Sequence, residues 1–132
     1  MRAGPQSVWW ALFGLKGRIR RATYALGIVL LFSIFWVLIA QGAPAPEGSP
    51  RLTFWALVLG LFVIMSAYCT YALAHKRFHD LGYRGTTALL LIVFQFIFPP
   101  FGWVPYLILG LMPGEKKDNA YGPPPVRPAT ER

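Results

Sequence analysis

Charge is what this chain has least of, and it is missing in blocks. No Asp, Glu, Lys or Arg occurs in residues 22–46, 52–75 or 85–114. Charged residues make up 14% of the 132, against about 25% in soluble domains. The lack of charge inside any of the three runs argues against a proton relay or ion pump. Acids are scarce, five in all, and only Asp80 lies near the central polar stretch. Paired-carboxylate acid–base chemistry therefore lacks its second member. There is one cysteine, Cys69, inside an apolar run. It cannot form an intrachain disulfide and reads as an apolar filler. Ser33 and Ser66 also lie mid-run, far along the chain from both histidines, so no nucleophile has a paired base. A glycine-rich phosphate loop is absent. No catalytic residue, metal or cofactor is expected.

What is present is apolar. Hydrophobic residues make up 55% of the chain and aromatic residues 16%. A soluble fold this small cannot hide so much apolar surface. A membrane span needs about 20 apolar residues, and each run supplies them. Span one is predicted over residues 22–40 and span two over residues 52–74. Residues 41–51, with Pro44, Pro46, Pro50, Gly42 and Gly48, form the connecting loop. The third run is broken by Pro99-Pro100. Its halves, residues 86–98 and 101–112, would each cover roughly 20 Å, short of the ~30 Å core. One kinked span or a hairpin of two short helices both fit, the hairpin needing its turn shielded by protein. The fold class is thus a small all-α, multi-pass transmembrane bundle. Its parts are residues 1–21 (a cytoplasmic end with basic anchor), 22–114 (the transmembrane domain) and 115–132 (a proline-rich tail, extended or disordered).

Residues 1–7 read as disordered, with Ser7 capping a short helix over residues 8–15. Trp9, Trp10, Leu12 and Phe13 would float that helix at headgroup depth. Lys16, Arg18, Arg20 and Arg21 follow and suit anionic headgroups. This basic stretch before an apolar run resembles a secretory signal. About twenty residues precede the run, and two further runs follow, so it reads as a retained span. Ala56 with Gly60, and Ser66 with Thr70, are small pairs that permit close helix packing.

Cations mark the sides. Arg2, Lys16, Arg18, Arg20, Arg21, Lys76, Arg77 and Arg84 lie in the first end and the central polar stretch, and only Arg51 in the first loop. Lys116, Lys117, Arg127 and Arg132 are in the tail. The positive-inside rule puts both ends and residues 75–85 in the cytoplasm, which favours the hairpin. The net charge of +8 is then a membrane protein's cytoplasmic excess. Nucleic-acid binding is not indicated, because the cations abut apolar runs and form no separate basic domain.

The polar stretch His75-Lys76-Arg77-Phe78-His79-Asp80-Leu81-Gly82 is the centre of the reading. His75 and His79 have the i,i+4 spacing of helical metal sites, but Lys76 stands where a zinc protease needs glutamate. Lys76 and Arg77 would also repel a divalent cation. Arg77 and Asp80, three apart, can pair on a helix, and Gly82 ends it. If the last run is a hairpin, Arg18, Arg21, Arg77, His79, Asp80 and Asn119 gather at one cytoplasmic face. That cluster is either a structural clamp or a binding site for an anionic headgroup or a partner's polar segment.

Three motifs carry a family resemblance. They are Phe13-x3-Gly17-Arg18-x2-Arg21-x2-Tyr24, Lys76-Arg77-Phe78-His79-Asp80, and Pro113-Gly114 with Asn119-x-Tyr121-Gly122-Pro123. Together they resemble the DUF805 family of small bacterial inner-membrane proteins, over residues 12–125. The family's Trp after His-Asp is absent from Tyr83-Arg84-Gly85-Thr86, and its Asp-Pro is here Pro124-Pro125. Lys116-Lys117-Asp118 look like extra residues. The resemblance implies an inner-membrane location and assigns no activity. Two function classes stay open. One is a structural or interaction protein whose basic face meets anionic lipid, a membrane-protein partner or a second copy. The alternative is a small oligomeric transporter or channel lined by the proline-broken segment.

Overall fold

A computed structural model describes residues 7–125. The expectations of disorder before Ser7 and beyond Pro125 lie outside the described residues. Five α-helices follow one another: α1 Val8–Phe13, α2 Arg21–Gly42, α3 Pro50–Asp80, α4 Ala88–Ile97 and α5 Val104–Leu111. Short 3-10 turns at Gly85–Thr87 and Pro99–Phe101 precede α4 and α5. No strand occurs among the described residues, and the fold is all-α.

Helices α2 and α3 are long and apolar enough to cross a membrane. They pack on each other as an antiparallel pair joined by a short turn. Ser49 accepts from the Leu52 amide at 3.2 Å, and Pro50 occupies the first helical position. Both are standard start signals, one satisfying an orphan donor and the other having none to satisfy. Helix α3 is longer than residues 52–74. At 31 residues it extends about 46 Å, and the polar stretch is its last two turns. It stops in a Schellman motif. The Tyr83 amide donates to Phe78 O at 2.9 Å and the Gly82 amide to His79 O at 3.1 Å. Gly82 takes φ +81°, a conformation glycine adopts without strain.

The third apolar run is a hairpin. Helices α4 and α5 both pack on α3, and α5 also on α2. The hairpin starts beside the polar end of α3 and returns to it, because Leu109 O and Met112 O both accept from Arg77. Its turn is not shielded by protein, contrary to the requirement set above: Phe96, Phe98 and Phe101 are exposed. Chemistry replaces cover. Pro99 and Pro100 have no N–H to satisfy. The Phe101 and Gly102 amides close onto Phe98 O and Pro99 O at 3.0 and 3.3 Å, and Trp103 Nε1 donates to Pro100 O at 3.1 Å.

The distribution of burial is inverted relative to a soluble domain. Lys76 and Arg77 are 0% exposed, while Ile64 is 72% and Leu61 71% exposed. Charged side chains fill the centre of one end, and apolar side chains cover the helices. Of the small pairs, Ala56 and Gly60 are exposed, and a side chain at Gly60 would meet open space. That pair is not an internal packing seam.

Candidate functional site

The polar end is built on α3. Phe62, Cys69 and Lys76 recur every seventh residue and all are buried, as are Leu73 and Asp80. One inward stripe therefore runs from apolar side chains into charged ones, since seven residues bring a helix back to nearly the same face.

Asp80 is the hub. Its Oδ1 accepts from Arg18 Nε at 3.0 Å, and its Oδ2 pairs with Arg77 Nη1. Two guanidiniums on one carboxylate leave a net positive charge, which backbone oxygens offset. Arg77 Nε donates to Leu109 O at 3.1 Å and Nη2 to Met112 O, so Arg77 caps the C-terminal end of α5. Arg18 engages all five of its donors. Besides Asp80 Oδ1 they reach Lys117 O at 2.8 Å, Gly122 O at 3.1 Å, Asp80 O at 3.4 Å and Glu115 O. The Glu115 amide returns a bond to Asp80 O at 2.8 Å. A methyl at Gly114 would overlap the Asp80 carboxylate, so the chain there must be glycine to pass this close.

These bonds correct the expected tail. Residues 115–125 are neither extended nor disordered. They fold back as a strap across the ends of α2 and α3. Asn119 Nδ2 donates to His79 O at 2.9 Å and to Glu115 Oε2 at 2.8 Å, and Asn119 pairs with Gly122 in a tight bridge. The His79 ring stacks on Tyr121 with centroids 3.8 Å apart and planes 8° apart, while His79 Nδ1 bonds Gly17 O at 3.0 Å. His75 Nδ1 lies 3.1 Å from the Tyr71 hydroxyl.

Of the six residues singled out from sequence, Arg18, Arg77, His79, Asp80 and Asn119 lie together in this network. Arg21 does not touch Asp80. It is exposed on the first turn of α2, at the rim of a neighbouring cleft.

Lys76 is the participant sequence reasoning missed. Its ammonium donates to Trp10 O at 2.8 Å, Ala11 O at 2.7 Å and Gly14 O at 2.5 Å, and sits 4.7 Å from the Trp10 ring centroid. It caps the C-terminal end of α1, where carbonyls lack helical partners. Helix α1 is therefore not merely floated by its aromatics. It ends at Phe13, is started by Ser7 as expected (3.1 Å to the Trp10 amide), and is tied to α3 by Tyr68, whose hydroxyl donates to Phe13 O at 3.0 Å. Trp9 stays 73% exposed. The available signal for Lys76 was its place on the Phe62–Cys69 stripe.

A test follows for that cap. Lys76→Met keeps the stem and removes the three donors. Trp10 O keeps the Gly14 amide, while leaving Ala11 O and Gly14 O unpaired costs about 2–3 kcal/mol. Amide exchange in residues 8–14 should accelerate at least tenfold while the centre of α3 stays protected. Unchanged exchange there would mean that the Trp10, Phe13 and Tyr68 packing alone holds α1.

The arrangement carries two buried cations shared by one buried acid. Comparison with characterised proteins and with solved structures finds no match. A family described as "Protein of unknown function (DUF805)" matches residues 12–123. The Gly17-Arg18, Arg77-Phe78-His79-Asp80, Pro113-Gly114 and Asn119-x-Tyr121-Gly122 motifs thus converge on one network of helix ends in a chain that belongs to the DUF805 family.

Proposed function

We propose that this is a multi-pass protein of the bacterial inner membrane, with its polar end in the cytoplasm, and that this end is a binding surface for anionic lipid or a membrane partner. Catalysis has no part in this reading. The observation that carries it is the inversion of burial: a charged centre at one end, and helices clothed in exposed Leu, Ile, Val and Phe. In water that surface would be costly at about 25 cal/mol per Å²; in a bilayer it is the solvated face. Helix α2, at 22 residues, is about 33 Å long, close to the ~30 Å hydrocarbon thickness. The hairpin of α4 and α5 reaches only part of that depth and returns, so α1 and the strap fall on one side. The excess of cations at that end makes it the cytoplasmic one.

Thiol labelling tests the orientation. In a Cys69→Ala background, a cysteine at Glu47 should react with an impermeant reagent in intact cells, and one at Lys117 should not. Reaction at Lys117 alone overturns the orientation. Reaction at both overturns the hairpin as a one-sided element.

The transporter reading draws only on the proline-broken hairpin. No described side chain within α4 or α5 is charged, and Gln95 bonds Tyr106 at 3.4 Å. Reproducible solute flux in liposomes containing the pure protein would favour it.

A further inference from the structure

The five clustered residues are engaged with one another, so a ligand must be held by what surrounds them. Beside the Arg18–Asp80–Arg77 triad lies a cleft of about 790 Å³, bounded by the start of α2 and the strap. Arg20, Arg21, Arg77 and Lys116 line it, with the carboxylates of Asp80 and Glu115. Asp80 is held by two arginines; Glu115 is exposed and keeps its charge, its Oε2 accepting from the neutral Asn119 amide. Arg21 and Lys116 are exposed, and neither makes a hydrogen bond or ion pair among the described residues. Four cations against two carboxylates leave the cleft net positive along its lining. It also opens at the first turn of α2, which no side chain caps and which holds no acid. Cations and leading helix amides together favour an anion with several acceptor oxygens.

We infer that this cleft binds a phosphate group, with Arg21 and Lys116 as its outer ligands. This deepens the binding reading above and rests on it. Depth argues for a phosphate carried by a lipid. Arg21 begins a helix about as long as the hydrocarbon layer is thick, which sets the cleft in the headgroup plane. A free phosphate presents the same chemistry, and the experiment separates the two sources.

Full-length protein in neutral detergent is titrated with short-chain phosphatidylglycerol, short-chain phosphatidylcholine and inorganic phosphate. The wild type should prefer phosphatidylglycerol over phosphatidylcholine. The double variant Arg21→Gln with Lys116→Gln should lose about tenfold or more of that affinity, since each cation near an anionic headgroup contributes a several-fold factor. The control Lys16→Gln with Lys117→Gln removes the same net charge from exposed side chains outside the lining. It should keep the preference. Both pairs alter exposed side chains, and an unchanged thermal midpoint verifies that they fold. Tight binding of inorganic phosphate, lost in the first variant only, supports the site and assigns it to a soluble phosphate. Equal loss in both variants, or no preference in the wild type, overturns the proposal. Neither result bears on orientation, which thiol labelling reads separately.

Discussion

Asp80→Asn should be among the most damaging single substitutions in this chain. The change is nearly isosteric and removes one charge. It leaves the guanidiniums of Arg18 and Arg77 facing each other across a neutral amide, both with side chains at most 1% exposed. Asparagine also brings an NH2 that donates, and every neighbouring side chain there donates too. Breaking a buried pair by removing one partner costs about 3–5 kcal/mol, because the remaining charge stays buried without compensation. Here two such charges remain. In detergent the thermal midpoint should fall by more than about 10 °C. The pairing also predicts coupling. Arg77→Gln in the Asp80→Asn background should cost much less than alone, because contacting charges are non-additive. A midpoint shift of less than a few degrees would show that solvent reaches the carboxylate and that the triad is not a clamp.

That expectation was partly legible before any coordinates. Asp80 is the only acid near a group of cations, and Arg77 stands three residues before it on a helix. Pairing followed from those facts. The second partner did not. Arg18, Arg20 and Arg21 are equivalent by composition, and only the turn at Gly17, with φ +93°, decides which of them points inward. The structure selects Arg18 for the centre and leaves Arg21 outside. A charge-reversal of all three arginines would therefore mix two effects, loss of the clamp at Arg18 and loss of the exposed charge at Arg21.

The long apolar helices were legible because hydropathy is a local property, and the stop of α3 at Gly82 was legible because glycine favours that turn. What holds the last turns of α3 was not, since they are tied to α1, α5 and the strap. The strap was read as extended or disordered from its prolines, yet Pro123, Pro124 and Pro125 all lie within it. Its order comes from Arg18, roughly a hundred residues earlier in the chain. No window of sequence contains such a contact. The hairpin was weighed correctly as a length problem, but the exposed turn shows a different solution to the backbone's hydrogen-bonding demand. Two prolines delete donors where a buried turn would have needed partners.

Arg18 provides the second large effect, because one side chain closes three pieces of backbone. Arg18→Met should destabilise the protein by about 3 kcal/mol or more, since it strands the Lys117 and Glu115 carbonyls and takes one of two partners from Asp80. The loss should be local in amide exchange. Protection at Glu115, Asn119 and Gly122 should vanish, while the middle of α2 and α3 keeps theirs. Arg18→Lys is the informative companion. Lysine restores the charge beside Asp80 but offers a single ammonium in place of a planar fork. It can reach the carboxylate or the strap carbonyls, which lie on different sides of the guanidinium, but not all of them. The expected outcome is recovery of part of the thermal stability with the strap still unprotected. Full protection of residues 115–122 in Arg18→Lys would mean that charge alone holds the strap. The Asn119 bonds to His79 and Glu115, with the Tyr121 stack, would then be its true fastening.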